Sequence, residues 1–437
     1  MVHFPPNPSG LMNPDLITGK GRASSSQPPD LAFRTSVGFS AAMREAGFNV
    51  RLLSAGPFVT MIDRFAVAPV LIPIAVEFRA PVGAVAIAAT AYYLAYGLAQ
   101  PFWGFASDRA GRIRIIRISL AATAAACALT ALAPNLGFLI GARILAGLSV
   151  CAVLPSALVY IGDVIPFKTR QAVIADVLAA VAIGTAAGSL GGGLFARYLT
   201  WRLIFGVAAV LAAVLAVAMA RLPESNARPS TGGPIAQLGQ AFRRPWARFV
   251  ILFAIPEGAM VLGFLVYFAP ALEATGTNAA LAGLVVATYG GAVLAGTRVI
   301  KRFASRTPAW VPISIGGAMG CGGYLAAGLD QHAVAILLAS VLVGGCYAIF
   351  HSTMQAWATD IAPEVRGTAA ALFVTSAFTG GAIGSGLGAF FAQAHQYRSL
   401  FLLAAVLSVP VVITAALTRA RYPGSVPAEQ VEEVAGS

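Results

Sequence analysis

The chain has 437 residues, of which 58% are hydrophobic and only 11% are charged. A soluble domain carries about 25% charged residues, so a soluble protein of this composition would lack the polar surface to cover itself. The net charge is +12, but no basic patch with interleaved aromatic residues occurs, which argues against a nucleic-acid-binding protein. The composition therefore predicts a membrane protein.

Residues 1–50 form a polar N-terminal segment that is rich in Pro, Ser and Gly. It contains no short apolar core followed by a cleavage site, so we expect no secretory signal peptide there. A disordered tail on the cytoplasmic side is predicted instead.

Apolar runs then recur along the chain at the length of about 20 residues that crosses a hydrocarbon layer as a helix. They predict an all-α integral membrane protein with twelve transmembrane helices in two pseudo-symmetric six-helix bundles. The bundles are expected at 51–220 and 248–420, with a linker at 221–247 and a C-terminal tail at 421–437. The approximate spans are 51–75, 82–103, 115–133, 136–160, 170–196, 203–220, 248–272, 279–298, 309–329, 333–357, 367–392 and 399–418.

Lysine and arginine residues concentrate in the loops on one side of the predicted membrane. Of the 29, all but six lie on the side that also holds both termini. The six are Arg64 and Arg143 inside spans, and Arg79, Arg197, Arg202 and Arg398 in the opposite loops. Because cytoplasmic loops carry the positive excess, we expect a protein of the cell inner membrane with both termini in the cytoplasm.

The two predicted bundles share identical residues at a constant separation of 197 positions. These residues lie in equivalent spans and loops, and such a pattern predicts a duplicated six-helix unit, as transporters built from repeats have. The pairs are Gly147 and Gly344, Asp163 and Asp360, Pro166 and Pro363, and Pro73 and Pro270.

The string GFASDRAGRIR, residues 104–114, occupies the loop after the second span and reproduces the pattern GxxxDRxGRxR. In that loop this pattern is the best-known signature of the major facilitator superfamily, which the chain resembles over residues 51–420. A tight positive turn that merely obeys the topology rule is the alternative. The motif residues are Gly104, Asp108, Arg109, Gly111, Arg112 and Arg114.

The resemblance implies a gate on the cytoplasmic face. In the family, the loop aspartate faces the start of the eleventh helix, whose dipole favours an anion, so Asp108 is expected near Gly367 and Thr368. The motif arginine pairs with an acid at the end of the fourth helix, and Arg112 and Asp163 occupy these places.

Glycines are expected to shape this region. Gly104 would let the second helix pack closely against a neighbour, and Gly111 would permit the turn.

In the fifth span, GTAAGSLGGG at 184–193 resembles the family's antiporter signature, although Ser189 stands where proline is usual. Helix packing by the glycines is the alternative to an antiport function.

Four charged residues lie inside predicted spans, where each costs about 2.5–3.5 kcal/mol on insertion scales. Asp63 is expected to take up and release the coupling proton, with Arg143 or Arg64 as its alternating partner. Glu257 is the second candidate for proton coupling. Because neighbouring helical residues do not face each other, Asp63 and Arg64 should point at different partners. A static ion pair is the alternative.

Polar and aromatic residues of two spans are expected to line a substrate cavity. Tyr347, His351 and Gln355 recur every four residues and therefore share one face of the tenth helix. Tyr92 and Tyr96 form a similar stretch in the second. Ordinary helix packing is the alternative for each residue.

These features predict a proton-coupled secondary active transporter that exports a small drug-like or sugar-like molecule by alternating access. Proton-coupled uptake is the alternative, and a non-transporting membrane sensor is the rival from a different class. No HExxH, GxSxG or GxxxxGK[ST] motif occurs, so we expect neither an enzyme nor direct ATP drive. No metal or cofactor is expected besides the proton gradient. The expected partners are the substrate, protons and the lipid bilayer, and the resemblance implies a monomer.

Overall fold

The computed structural model describes residues 50–225, 234–303 and 307–422, so most of the two predicted tails lies outside it. Within these ranges the chain forms long helical segments and no strands. The segments are α1 Val50–Phe78, α2 Val82–Ala110, α3 Arg112–Ala131, α4 Leu136–Val164, α5 Phe167–Tyr198, α6 Arg202–Arg221, α7 Pro245–Ala274, α8 Ala279–Phe303, α9 Trp310–Leu329, α10 Ala333–Ile361, α11 Pro363–Gln393 and α12 Tyr397–Arg421. A short helix, Pro234–Arg243, lies in the linker before α7.

Eleven of these segments in the described part of the chain are long and apolar enough to cross a membrane. The remaining one, α9, has 20 residues, six of which are glycine. Each helix overlaps the apolar run that predicted it, because about 20 consecutive apolar residues favour a spanning helix over any other structure.

We call α1–α6 the first group and α7–α12 the second group, and the same pairs of helices pack together in each. In the first group α1 packs on α5, α2 on α4 and α3 on α6. In the second group α7 packs on α11, α8 on α10 and α9 on α12. The two groups meet mainly where α2 contacts α11 and α5 contacts α8.

Glycines on α5 allow the backbone of α1 to come close. A Cβ atom added at Gly184 or Gly188 would lie within 3.0 Å of the carbonyl oxygens of Phe58 and Ile62, respectively. Real Cβ atoms do not approach a carbonyl so closely, so the two helices are in direct backbone contact. Small residues are what such contacts require in a membrane. Helix packing is therefore what the structure shows for these glycines of the 184–193 motif.

Equivalent contacts recur between helices of the second group. Each residue of a first-group contact has a counterpart in the second group, 196 positions later for the glycines of α5 and 197 positions later for the other residues, as a duplicated unit predicts. The contacts of Gly184 and Gly188 with α1 correspond to those of Gly380 with Ile255 and of Gly384 with Ala259. The contact of Gly147 with Tyr92 corresponds to that of Gly344 with Tyr289.

The helices α1, α4, α7 and α10 each change geometry near their middle, where the other long helices stay regular. Proline removes a backbone donor beside the irregular stretch in three of them, at Pro69, Pro155 and Pro256. In α7 and α10, a π turn inserts an extra residue, a feature frequent at functional sites. The irregular stretches are a 3-10 turn at Ala68–Val70, a break at residues 151–152, and π turns at Ala259–Gly263 and Tyr347–His351.

The two groups are in close contact on one side of the molecule. We call the side with the α2–α3 and α4–α5 loops, which carries Arg109, Arg112, Arg114 and Lys168, the basic face, and the other side the opposite face. Towards the opposite face, Gly83 of α2 lies against Ala389 of α11, and Gly193 of α5 lies against Ala279 of α8.

Near the basic face the predicted close packing at Gly104 is wrong. A Cβ atom added at Gly104 or at Gly367 would have no atom within 4 Å. The physical reason is that the tight contact between α2 and α11 ends nearer the middle of the helices, where the Thr375 hydroxyl donates to the Gly97 carbonyl at 2.9 Å. The structure therefore has its groups joined at the opposite face and less tightly packed at the basic face.

Gly111 has the role predicted for it. Its φ of 98° is a conformation that residues with a side chain rarely adopt, and it turns the chain from α2 into α3.

Backbone contact between α1 and α5 predicts the effect of a single methyl group. Gly184→Ala should destabilise the protein by about 1–3 kcal/mol, because the new Cβ overpacks against Phe58. Thermal unfolding of the purified protein in detergent measures this. The matched control is Gly141→Ala on α4, where an added Cβ meets nothing within 4 Å. Equal stabilities of the two variants would contradict the assigned contact.

Candidate functional site

A buried ion pair joins α1 to α4 at the centre of the first group. Arg143 donates from Nη1 to Asp63 Oδ1 at 2.5 Å and from Nη2 to Asp63 Oδ2 at 3.3 Å. Asp63 is 0% and Arg143 is 1% exposed. The thiol of Cys127 on α3 donates to the same carboxylate at 3.3 Å. Removing one partner of such a pair typically costs 3–5 kcal/mol, because the other charge stays buried alone.

Helix packing places Arg143 in this pair. Gly147, one turn further along α4, lets that helix touch the backbone of α2 at Tyr92. The guanidinium of Arg143 then lies 4.6 Å from the centroid of the Tyr92 ring and 5.2 Å from that of Phe205. Both are attractive cation–π distances, so the arginine is held by two rings as well as by Asp63.

Arg64 points away from Asp63, as expected for neighbours on a helix. Its guanidinium lies 4.6 Å from the ring centroid of Phe378, 5.2 Å from that of Phe65 and 5.6 Å from that of Tyr93. The side chain is buried, and it forms no ion pair with any residue in the described ranges. Of the two partners predicted for Asp63, the structure therefore brings Arg143 to it and leaves Arg64 among aromatic rings.

A second buried pair joins α7 to α10. Glu257 Oε1 lies 2.6 Å from His351 Nδ1, and the exposed fractions of the two residues are 0% and 7%. His351 is the last residue of the π turn in α10 and stacks on Tyr347 at 4.6 Å. The sequence singled out both members but not their pairing, since nothing in a sequence reports a contact between positions 94 apart.

The other residues predicted for the cavity occupy different surroundings. Tyr96 is buried and stacks on Phe378 with ring centroids 3.8 Å apart. Tyr347 lies 6.2 Å from Tyr289 of α8, ring to ring. Gln355 is half-buried at the end of α10 nearer the basic face. Most of the predicted residues thus lie in one aromatic region between α1, α2, α8, α10 and α11.

A small cavity of about 20 Å³, room for about one water, lies in this region and is lined by Arg64, Tyr92, Tyr93 and Arg143 from the first group and by residues of α7 and α8. A larger, open one of about 550 Å³ lies between the ends of α1 and α5 at the basic face. Arg51, Phe58 and Asp176 are among its lining residues.

The structure brings together the pair predicted at the basic face. Arg112 Nε lies 3.4 Å from Asp163 Oδ2, and the same guanidinium also binds Asp108. Three residues from the α2–α3 and α4–α5 junctions thus form one cluster. The expected approach of Asp108 to Gly367 and Thr368 stays a prediction.

Glu224 is a residue of this face that the sequence analysis missed. Its carboxylate accepts hydrogen bonds from the backbone nitrogens of Ile113 at 2.9 Å and Arg114 at 3.0 Å. These nitrogens begin α3, where an acidic side chain is favoured by the helix dipole. The remaining motif arginine, Arg109, lies over the Phe105 ring at 3.6 Å. The start of the linker therefore caps the helix that follows the 104–114 motif.

Known proteins resemble this chain in sequence. It is 34% identical over 182 residues to a triacylglyceride transporter of Mycolicibacterium hassiacum, and the match covers 40% of this chain and 33% of that protein. It is 30% identical over 153 residues to the efflux pump dotC of Dothistroma septosporum, with 35% of this chain and 26% of that protein covered. The matches thus span about a third or less of these relatives.

Solved structures share the fold at low sequence identity. A bacterial homologue of the human lysosomal transporter Spinster has a TM-score of 0.68 at 18% identity, covering 86% of this chain and 98% of that one. The nucleoside transporter NupG has a TM-score of 0.71 at 14% identity, covering 85% and 98%. The model of the Major Facilitator Superfamily matches residues 53–384 and 273–436. This match confirms the resemblance carried by residues 104–114, and the chain belongs to the Major Facilitator Superfamily.

Proposed function

We propose that the protein is a proton-coupled secondary active transporter that exports a small organic molecule across the cytoplasmic membrane by alternating access. The observation that carries the proposal is the fully buried pair of Asp63 and Arg143 between α1 and α4. Charges are expensive at this depth and are typical of proton and substrate pathways. A carboxylate held by a cation on another helix can exchange that cation for a proton.

Proton binding at Asp63 has a mechanical consequence in this fold. A neutral carboxyl group binds Arg143 less strongly, so protonation loosens the contact between α1 and α4. Each of these helices is in backbone contact with a helix at the seam between the groups, α1 with α5 and α4 with α2. The loosened contact therefore bears directly on the two seams, α5 with α8 and α2 with α11, that must change when the groups rock. Glu257 and His351 provide a second pair that can take up a proton.

The topology forms part of the proposal. We count α9 as a membrane span as well, which brings the number of spans to twelve. The reason is that α9 packs on α10 and α12 as its counterpart α3 packs on α4 and α6. The two groups are then pseudo-symmetric six-helix bundles. The basic face is cytoplasmic by the positive-inside rule, so both termini are cytoplasmic and the described state opens inward. The transporter acts as a monomer in the lipid bilayer, with protons and substrate as partners and no cofactor.

Export is favoured over uptake by the name of one relative, an efflux pump. The relatives named triacylglyceride transporters bring lipid-like molecules into the substrate range, beside the drug-like and sugar-like ones. The aromatic lining of the central region suits apolar parts of any of these molecules.

Export predicts a specific response in cells that produce the protein. Labelled drug-like and lipid-like compounds should accumulate less than in cells without it, and a protonophore should remove the difference. Asp63→Asn should abolish the proton-driven part, because an amide cannot release a proton. The control is Asp330→Asn, which changes an exposed aspartate between α9 and α10 and should transport normally. Full activity of Asp63→Asn would remove Asp63 from proton coupling, and unchanged accumulation of every compound would oppose export.

The cluster at the basic face predicts non-additive effects on transport. Arg112→Gln should slow transport more than Asp163→Asn, since Arg112 also binds Asp108 and loses both contacts. Arg112→Gln combined with Asp163→Asn should be no slower than Arg112→Gln alone, with a coupling energy of about 0.5–3 kcal/mol. Initial rates in proteoliposomes measure this, with exposed Lys168→Gln as the control. Strictly additive effects would show that the pair does not act as a unit.

A further inference from the structure

Three residues that line the central cavity each have a buried hydrogen-bond donor without an acceptor in the described part of the chain. The donors are the Nε of Arg64, the Nε of Arg143 and the hydroxyl of Tyr92, all of which are buried. All three residues line the same cavity of about 20 Å³. Buried donors in proteins are normally satisfied, so three of them around one space indicate that an acceptor belongs there.

The residues around Arg64 supply no carboxylate for it. The groups in contact with its guanidinium are aromatic rings, those of Phe65, Tyr93 and Phe378, and one of them, Tyr93, is a phenol. The two buried carboxylates of the described core are engaged elsewhere, Asp63 with Arg143 and Glu257 with His351. The cavity lining thus contains two guanidinium groups, those of Arg64 and Arg143. One carboxylate, that of Asp63, balances their charge, and it is paired with Arg143.

Contacts with aromatic rings do not replace an acceptor for Arg64. The rings of Phe65, Tyr93 and Phe378 attract the positive charge of the guanidinium through their faces. They leave its Nε–H without the hydrogen bond that a buried donor needs. A guanidinium presents its donors as a planar fork, and the acceptor that matches this fork is the pair of oxygens of a carboxylate or phosphate.

We propose that Arg64 is the receptor for an oxyanion on the transported molecule, with the Tyr92 hydroxyl and Arg143 Nε as auxiliary donors. The inference rests on the proposed transport function and names its substrate class: amphiphiles that carry one carboxylate or phosphate group on an apolar body. The oxyanion occupies the central cavity, which enlarges from its present size as the groups move. The apolar body lies against the aromatic rings of α2, α8 and α11.

Both halves of the membrane-spanning region contribute to this site. Arg64 and the ring of Tyr93 come from the first group, whereas Phe378 comes from α11 and the cavity wall continues through Leu265 and Val286 of α7 and α8. A ligand at Arg64 therefore contacts both groups at once, as a substrate must if its binding is to change how they pack.

Equilibrium binding to the purified protein in lipid nanodiscs, without any proton gradient, tests the site. Two pairs of probes are compared: 1-naphthaleneacetate with 1-naphthaleneacetamide, and decanoate with decanamide. Within a pair only the charged or neutral polar group differs, and between the pairs the apolar body differs. We expect wild-type protein to prefer the carboxylate in at least one pair by about tenfold or more, as a charge-assisted hydrogen bond provides. The pair that shows the preference tells whether the body is aromatic or acyl.

Arg64→Gln should remove that preference and leave amide binding within about twofold of wild type, because only the charge-assisted bond is lost. Arg64→Lys keeps the charge without the planar fork and should retain a reduced preference, so it decides the matter if Arg64→Gln does not fold. The control is Arg197→Gln, at an exposed site near the end of α5, which should bind as wild type.

Equal affinity for carboxylate and amide in both pairs, absence of binding by all four probes, or an unchanged preference in both Arg64 variants would overturn the proposal. These outcomes are separate from failure of the transport function. Binding needs no gradient, so a protein that prefers carboxylates at Arg64 but moves nothing would refute transport and retain the site. A protein that transports only neutral compounds would refute the oxyanion site at Arg64 and retain the transport function.

Discussion

The backbone contact between α1 and the glycines of α5 is the constraint on which the central region depends. Asp63 and Arg64 lie between the contact points at Phe58 and Ala66 on the same helix. Because the two backbones touch, α1 has little freedom to rotate or slide, and the directions of its two charged side chains are fixed. Asp63 then faces α4 and Arg64 faces the cavity, although the two residues are adjacent in the sequence.

The helix contacts are repeated in the two groups, but the buried charges are not. The glycine contacts of the first group recur in the second, but the positions 197 residues after Asp63, Arg64 and Arg143 are Met260, Val261 and Ser340. The second group instead has Glu257 and His351, at positions with no charged counterpart in the first. The two groups thus share their packing contacts but differ in the charged residues that they bury.

Hydropathy made most of the fold predictable from the sequence, because a lipid-facing helix must be apolar over its whole length. The same cost of burying charge pointed to Asp63, Arg64, Arg143 and Glu257. Two partners were predicted for Asp63, of which the structure pairs Arg143 with it, but the pairing of Glu257 with His351 was not predictable, since it depends on how distant helices cross. The packing at Gly104 was mispredicted for another reason: a sequence motif does not report how closely the two groups approach each other at a given face. Glu224 lies in a polar linker without any pattern that marks a helix cap.

The π turns in α7 and α10 give the second group a means of redirecting side chains. A π turn holds one residue more than an α turn, and moving it along a helix exchanges hydrogen bonds without reducing their number. Every side chain that the turn passes is turned by about 100° around the helix axis. Glu257 lies just before one turn and His351 ends the other, so migration of either bulge would redirect an ionisable group without melting the helix that bears it.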